Sequence, residues 1–168
     1  MARIVLTLVG PDRAGLVAAV ADVVSAHDAN WEASQLAELA GTFAGVVQVA
    51  VADARADALA TALHGLDGML AITTHPGGEP HPASERALVI SVLGNDHPGI
   101  VRDVTSVLSA RGVSIERMTT DVRDAAMYGG RLFEASVTAS VGEGVDLEGL
   151  RADLERLATE IQVDIALA

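Results

Sequence analysis

The sequence contains no cysteine, few aromatic residues and no long apolar run. Without cysteine, the chain has no disulfide, no thiolate metal ligand and no cysteine nucleophile. Aromatic residues make up 2% of the chain, which is too few to supply the stacking surfaces that bind single-stranded nucleic acids. Hydrophobic residues make up 50%, yet no run approaches the roughly 20 apolar residues of a membrane helix. We therefore expect a soluble protein.

Basic residues are also scarce. The 11 basic and 23 acidic residues give a net charge of −12, which would repel a phosphate backbone instead of displacing its counterions. Direct nucleic-acid binding is therefore not expected. The N-terminus offers only Arg3 and the short apolar run 4–9, too short for a secretory signal, so we expect a cytoplasmic location.

Two stretches of the chain share one design. Gly10-Pro11-Asp12-Arg13-Ala14-Gly15-Leu16-Val17 and Gly94-Asn95-Asp96-His97-Pro98-Gly99-Ile100-Val101 each lie between a strand pattern and an apolar helix pattern. The same offset of 84 residues also matches Val5 with Val89, Val20 with Val104 and Glu32 with Glu116. A match that spans strand, loop and helix indicates a duplicated unit.

The first half predicts the element order βαββαβ. Alternation over 4–9 predicts a strand, and apolar residues three or four apart from Leu16 to His27 predict a helix. Alternation returns over 30–51, where two strands should join near Gly41-Thr42. A helix carrying Leu59, Ala62, Leu63 and Leu66 and a short strand over 69–73 complete the unit.

The second half repeats this order after a linker. Residues 76–85 contain three prolines and two glycines, a composition that should sustain neither helix nor sheet. We therefore predict domains at 1–75 and 86–168. In the second domain the patterns predict strands at 88–93, 113–123, 131–141 and 163–167, with helices over 99–111 and from Leu147 to Ile161.

Two βαββαβ units predict an α+β fold: two ferredoxin-like domains in tandem, each an antiparallel sheet with two helices on one face. The other face of each sheet is also predicted to be substantially apolar. An exposed apolar face usually packs against another surface, so we expect packing between the halves or between two chains. We also predict a homodimer.

The paired loops resemble those of the ACT family, small ferredoxin-like regulatory domains. Gly-Asn-Asp-His-Pro-Gly-Ile-Val is similar to the family signature, whereas Ala14 departs from its usual proline. The stretches 35–45, 132–135 and 157–165 resemble the glycine cleavage system transcriptional repressor group of tandem ACT proteins. The resemblance implies that an amino acid binds between adjacent ACT units and that the signal passes through protein contacts. In that group the contact is with a DNA-binding activator and not with DNA.

An amino-acid ligand needs an acceptor for its amine and donors for its carboxylate. Asp12 and Asp96 offer acceptors, and the amides after Gly15 and Gly99 open a helix N-terminus that can donate. Asn30 and Ser114 begin the next strand in each half and are expected near these aspartates; the resemblance implies that family sites use the same positions. The predicted ligand-binding residues are Asp12, Arg13, Ala14, Gly15, Leu16, Asn30, Asn95, Asp96, His97, Pro98, Gly99, Ile100 and Ser114.

Several of these residues have a structural alternative. Asp12 and Asp96 could cap helices, either alone or in addition to binding, and the loop glycines could serve close helix packing as well as a ligand. His97 and its counterpart Arg13 supply a cation near a carboxylate or complement acidic neighbours. Trp31 is expected in the core, with a wall of the ligand groove as its alternative.

No metal or cofactor is expected. His75, Glu79, His81 and Glu85 lie in or beside the linker, which offers no rigid metal geometry. No phosphate-binding glycine loop or catalytic residue is identified either.

These observations predict a regulatory protein, not an enzyme, that binds a small amino acid of the glycine or serine class. Two other functions stay open: a scaffold dimer that binds no metabolite, and a detached regulatory subunit of an amino-acid metabolic enzyme. Because Asn30 offers more hydrogen-bond donors than Ser114, the first-half site is expected to bind more tightly.

Overall fold

The structure, a computed structural model, describes residues 1–78, 86–125 and 129–168. The chain divides into two compact units, Met1–Pro80 (unit 1) and His81–Ala168 (unit 2). Most of the segment predicted as a linker, together with Glu79, His81 and Glu85, lies outside the described residues.

Unit 1 has the predicted order βαββαβ. Its elements are β1 (Ala2–Pro11), α1 (Leu16–Ala26), β2 (Asn30–Leu39), β3 (Thr42–Val51), α2 (Ala56–His64) and β4 (Ala71–Pro76). The strands form one antiparallel sheet in the order β2-β3-β1-β4. Strands β1 and β3 are therefore central, and β2 and β4 are edges.

Unit 2 repeats this arrangement. Its elements are β5 (Arg86–Asn95), α3 (Ile100–Ala110), β6 (Ser114–Asp124), β7 (Arg131–Val141), α4 (Leu147–Ile161) and β8 (Val163–Leu167). The sheet order is β6-β7-β5-β8, and Ala168 exchanges two backbone hydrogen bonds of 2.9 Å with Val89. The prediction of two tandem ferredoxin-like units is confirmed.

Each core lies between one sheet face and its two helices. In unit 1 the alternation of β1 buries Ile4, Leu6 and Leu8, and α1 buries Leu16, Val20 and Val24 against them. Unit 2 has a separate core in which Leu88, Ile90 and Val92 take the same places on β5. Full burial of one such side chain stabilises the fold by about 1.5–3 kcal/mol.

The β2–β3 connection is a two-residue turn close to the predicted position near Gly41-Thr42. Ala40 and Gly41 have φ values of 51° and 80°, the positive pair that a type I′ hairpin turn requires. An irregularity also recurs in both units, because β2 has a bulge between Trp31 and Ala33, and β6 has one between Ile115 and Arg117. The duplication therefore extends to the position at which edge-strand pairing is interrupted.

The last strand of unit 1 lies further along the chain than the predicted 69–73, because β4 begins at Ala71 and runs through Pro76. The Gly77 amide then donates to the Arg3 carbonyl at 2.8 Å. Proline is compatible with this position because β4 is an edge strand, where one missing N–H group need not break the ladder. Trp31 is half-buried and packs against the unit 1 core, as expected from the sequence.

An ion-pair network joins the two helices of unit 2. The Arg111 guanidinium, just after α3, donates from Nε to Asp153 Oδ2 on α4 at 2.7 Å, and Arg156 donates to the other carboxylate oxygen at 2.7 Å. The hydrogen bond from Arg111 holds the pKa of Asp153 below its ordinary value, against the opposing effect of desolvation; the charges of Arg111 and Arg156 lower it further. At the equivalent position unit 1 has His27, whose Nδ1 lies 2.8 Å from the Val23 carbonyl oxygen.

This network predicts a loss of stability in acid. The pKa of Asp153 is lower in the folded than in the unfolded state. Its ionised carboxylate therefore stabilises the fold at pH values above the unfolded pKa of 3.8, and this stabilisation is lost as the pH falls through the folded pKa. In urea unfolding at neutral pH and near pH 3, Asp153→Asn should lower the free energy at neutral pH and reduce its pH dependence. Exposed Asp22 has no ion pair among the described residues, so Asp22→Asn is the control; equal changes in both variants would contradict the prediction.

Candidate functional site

The two predicted loops have the same backbone geometry. Gly15 and Gly99 precede the first helix of each unit with φ values of 92° and 102°, in the left-handed region. A Cβ added at Gly15 would meet no atom within 4 Å, and one at Gly99 would meet only side-chain atoms at 3.6 Å. Glycine is favoured here by the backbone torsion and not by close packing, which corrects one of the structural alternatives.

The aspartates of the loops do not cap the helices. Neither α1 nor α3 has a side-chain cap hydrogen bond, because Asp12 and Asp96 lie three residues ahead of the N-cap glycines, at the ends of β1 and β5. Their backbone amides instead donate to the carbonyls of Gly41 and Arg131, at 2.8 Å each. The capping alternative is therefore wrong.

Uncapped helix N-termini leave hydrogen-bond donors available. The first N–H groups of a helix have no partner within it, and the helix dipole makes this end positive. The side chains of Leu16 and Ile100 are buried, each with 2% exposure. At these two predicted positions, the group available to a ligand is the backbone amide and not the side chain.

Loop 1, residues 12–15, is exposed throughout. In the part of the chain that the structure describes, neither the Asp12 carboxylate nor the Arg13 guanidinium has a hydrogen bond or ion pair. The loop therefore presents an anion, a cation and a helix N-terminus within four residues. Ala14, in place of the family's usual proline, is exposed as well and leaves this geometry intact.

Loop 2, residues 96–99, is held more firmly by its own unit. The Asp96 carboxylate, 27% exposed, lies 3.8 Å from an Arg131 guanidinium nitrogen. With its proton on Nε2, His97 donates to the Ile161 carbonyl at 3.0 Å, at the C-terminal end of α4. The imidazole of this loop is thus directed at a helix end, and the charge of Asp96 is partly balanced by Arg131. Asn95 and Pro98 remain exposed beside them.

The structure does not bring Asn30 and Ser114 to the loops. Asn30 pairs with Ala50, which pairs in turn with Arg3 near the start of β1, whereas Asp12 follows the far end of β1. At about 3.3 Å per strand residue, the separation is roughly 25 Å or more. Ser114 is displaced from Asp96 in the same way, because it pairs through Ser140 with Ala87. The predicted proximity is wrong within each unit, since β1 and β2 run parallel and their starts lie at the same end of the sheet.

Arg131 is a site residue that sequence reasoning missed. It begins β7, where Leu132 pairs with Asn95, so its guanidinium reaches Asp96 through strand pairing. No spacing rule connects residues 96 and 131. Only the register of β5 against β7 could have indicated the contact, and the sequence alone does not give that register.

Neither a metal site nor a membrane segment is found in the described ranges. No group of three or more histidine and acidic side chains within 1–78, 86–125 and 129–168 is placed to hold a metal ion. In the same part of the chain, no helix combines the length and hydrophobicity needed to cross a bilayer.

The loop torsion predicts a cost for alanine. Gly15→Ala or Gly99→Ala should lower the free energy of unfolding by about 1–2 kcal/mol, the penalty for a left-handed residue with a Cβ. Gly68 is a matched control, because its φ is not in that region and an added Cβ would meet no atom within 4 Å. Urea unfolding of the three variants measures the difference, and an equal loss in Gly68→Ala would refute the torsion argument.

Solved structures of other proteins share the fold of this chain. No curated protein matches the chain at a significant level. A crystal structure of a protein of unknown function from Galdieria sulphuraria superposes with a TM-score of 0.89 at 28% identity, covering 99% of this chain and 96% of that one. A structure provisionally described as a glycine cleavage system transcriptional repressor superposes with a TM-score of 0.72 at 19% identity, with coverages of 99% and 96%.

Family models match both halves of the chain. Each is a model of the ACT domain, one over residues 2–76 and the other over residues 88–159. Each matched segment contains one of the two loops and most or all of one βαββαβ unit. The chain therefore belongs to the ACT domain family, a family of regulatory domains, and carries two ACT domains in tandem.

Proposed function

We propose that this chain is a cytoplasmic regulatory protein that binds a small amino acid and passes the signal on through protein contacts. The observation that carries the proposal is the uncapped, glycine-initiated helix N-terminus that follows an aspartate in both ACT domains. An aspartate can accept from an amine, and a helix N-terminus can donate to a carboxylate. The loops thus offer partners for both groups that all amino acids share.

Loop 1 is the better site in this proposal. Asp12 and Arg13 are exposed and without partners among the described residues, so neither has to give up an internal contact to meet a ligand. In loop 2, Asp96 has Arg131 beside it, and His97 is bonded to Ile161. The ranking agrees with the sequence-based expectation, but its support is the freedom of Asp12 and not the position of Asn30.

Asn30 and Ser114 have a narrower role in this proposal. Their distance from the loop of their own unit prevents one small amino acid from touching both. They would contact a bound ligand only where another ACT domain brings them to the loop.

The open, shallow loop suits a small ligand of modest affinity. Glycine has five heavy atoms, and a ceiling of roughly 1.5 kcal/mol per atom limits its binding to about 7.5 kcal/mol, or micromolar dissociation. Such an affinity suits an abundant metabolite. We therefore propose glycine, serine or a close relative as the ligand.

The proposed output is a contact with another protein. A net charge of −12 disfavours direct contact with DNA, and the chain resembles repressors that act on a DNA-binding activator. The similarity to a structure provisionally described as a glycine cleavage system transcriptional repressor supports amino-acid metabolism genes as the regulated target. A catalytic role is not part of the proposal.

A thermal-shift screen against the common amino acids tests ligand binding. At 100 times the dissociation constant, a ligand that binds only the folded state adds about 2.7 kcal/mol to its stability. We expect a rise in Tm confined to glycine, serine or a close relative. The absence of any rise at millimolar concentrations would contradict the proposal and favour a scaffold without a metabolite.

Calorimetry on matched variants tests the choice of loop. Asp12→Asn removes the proposed partner of the ligand amine and should weaken binding about 10- to 100-fold, the value of a charge-assisted hydrogen bond. Asp96→Asn is the matched variant in loop 2 and should have a smaller effect, and Asp22→Asn controls for net charge. If Asp96→Asn costs as much as Asp12→Asn, the preference for loop 1 is wrong.

A further inference from the structure

The ring of His97 connects loop 2 to the end of the last helix of unit 2. Its Nε2 atom lies 3.0 Å from the carbonyl oxygen of Ile161, the last residue of α4, in a partly buried contact. Its Nδ1 atom lies 3.2 Å from the Pro98 carbonyl oxygen, where the contact is exposed. Water can serve the exposed side of the ring, whereas an unpaired carbonyl on the buried side would be costly. The proton is therefore placed on Nε2, and His97 donates to Ile161.

This hydrogen bond satisfies a carbonyl that α4 itself leaves without a partner. The last four C=O groups of a helix accept no bond from within the helix. At the end of α4 the Gln162 amide donates to the Ala158 carbonyl, which leaves the Ile161 carbonyl beyond the helical pattern. A loop residue that lies 64 positions earlier in the chain thus completes the end of this helix.

The same helix end leads directly into β8. Gln162 alone separates α4 from β8, and it takes the left-handed conformation with a φ of 55°. Val163 then pairs with Gly94, just before loop 2, and a Cβ added at Gly94 would lie 2.5 Å from Val163 Cγ1. Loop 2, the end of α4 and the start of β8 therefore meet at one place, so a movement of the His97 ring affects all three.

Unit 1 lacks this link. Arg13, the counterpart of His97, has no hydrogen bond or ion pair among the described residues. The last helix of unit 1 ends at His64, and residues 65–70 separate it from β4. The His64 ring contacts the Ala60 carbonyl oxygen of its own helix at 2.7 Å. Within the described ranges, a side-chain bond from the loop to the last helix is thus a property of unit 2 and not of the repeat.

We propose that His97 is a positioning residue that couples the occupancy of loop 2 to the end of α4 and to the edge strand β8. The proposal rests on the proposed function, because it requires that an amino acid bind at loop 2. A ligand carboxylate at the α3 N-terminus is an anionic acceptor, and a hydrogen bond to an anion is stronger than one to a neutral carbonyl. The carboxylate therefore draws the His97 N–H group away from Ile161 and leaves the end of α4 without this donor.

Strand β8 is the element that transmits the change. It pairs with β5 on one side, and no strand of the described residues pairs with its other side. Such an edge presents backbone N–H and C=O groups that another protein can pair with. A ligand that releases the junction of α4 and β8 changes how firmly this edge is held. Loop 2 thereby gains a route to a protein contact that loop 1 does not have.

Hydrogen exchange of the full chain without ligand tests the structural half of the proposal. His97→Leu removes the N–H donor and should speed amide exchange in residues 158–168 about 2- to 10-fold, the value of one hydrogen bond. His97→Gln keeps a side-chain N–H donor and should restore most of the protection. Arg13→Leu is the matched variant in loop 1 and should leave exchange in 71–76 unchanged. Equal exchange in wild type and His97→Leu overturns the proposal.

Hydrogen exchange with ligand tests the coupling itself. Asp12→Asn weakens binding at loop 1, and in this background millimolar glycine or serine should speed exchange in 158–168 by a similar factor, while exchange in β6 and β7 stays the same or slows. Adding His97→Leu should abolish this response.

Calorimetry on the same samples separates two failures. If glycine or serine binds but exchange in 158–168 does not change, the coupling is wrong and the proposed function stands. If no amino acid binds, the coupling and the proposed function are both wrong.

Discussion

The left-handed backbone at Gly15 and Gly99 is the constraint on which the rest of each unit depends. At this residue the chain leaves a central strand and begins the helix that covers it, so that Leu16 or Ile100 enters the core at once. The same torsion takes the place of a side-chain cap at the helix start. One backbone angle therefore both packs the first helix against the sheet and leaves its first N–H groups free to bind a ligand.

Duplication preserved this backbone while the side chains around it diverged. Both units keep the glycine torsion, the sheet order and the bulge in the edge strand. They differ in what surrounds these features, because Asp12 is unpaired among the described residues whereas Asp96 faces Arg131. The repeat therefore conserves backbone geometry but not charge, and loop 2 has more contacts within its own unit than loop 1.

The sequence was sufficient for the fold because the signals that specify it are local and periodic. Alternation over 4–9 and three- or four-residue spacing from Leu16 fix the element types, and the duplication supplies each of them twice. The site was only partly predictable. The position of the loops followed from the repeated motif. The sequence alone could not show whether Asp12 caps the helix or only lies in the loop before it. The contact between Asp96 and Arg131 could not be predicted, because it depends on strand register. The error over Asn30 came from placing β2 directly beside β1. Strand β3 lies between them, and α1 returns the chain to the end of the sheet opposite Asp12.

The bulges at Glu32 and Glu116 also affect how the chain avoids misassembly. Each lies in an edge strand, β2 or β6, where an outer row of backbone N–H and C=O groups would otherwise form a regular template for another strand. The extra residue bends the strand and breaks the repeat of that row, and it places a carboxylate at the break. An extended segment that adds along this edge loses register where it crosses the bulge, so regular pairing is confined to the part of the strand beyond it.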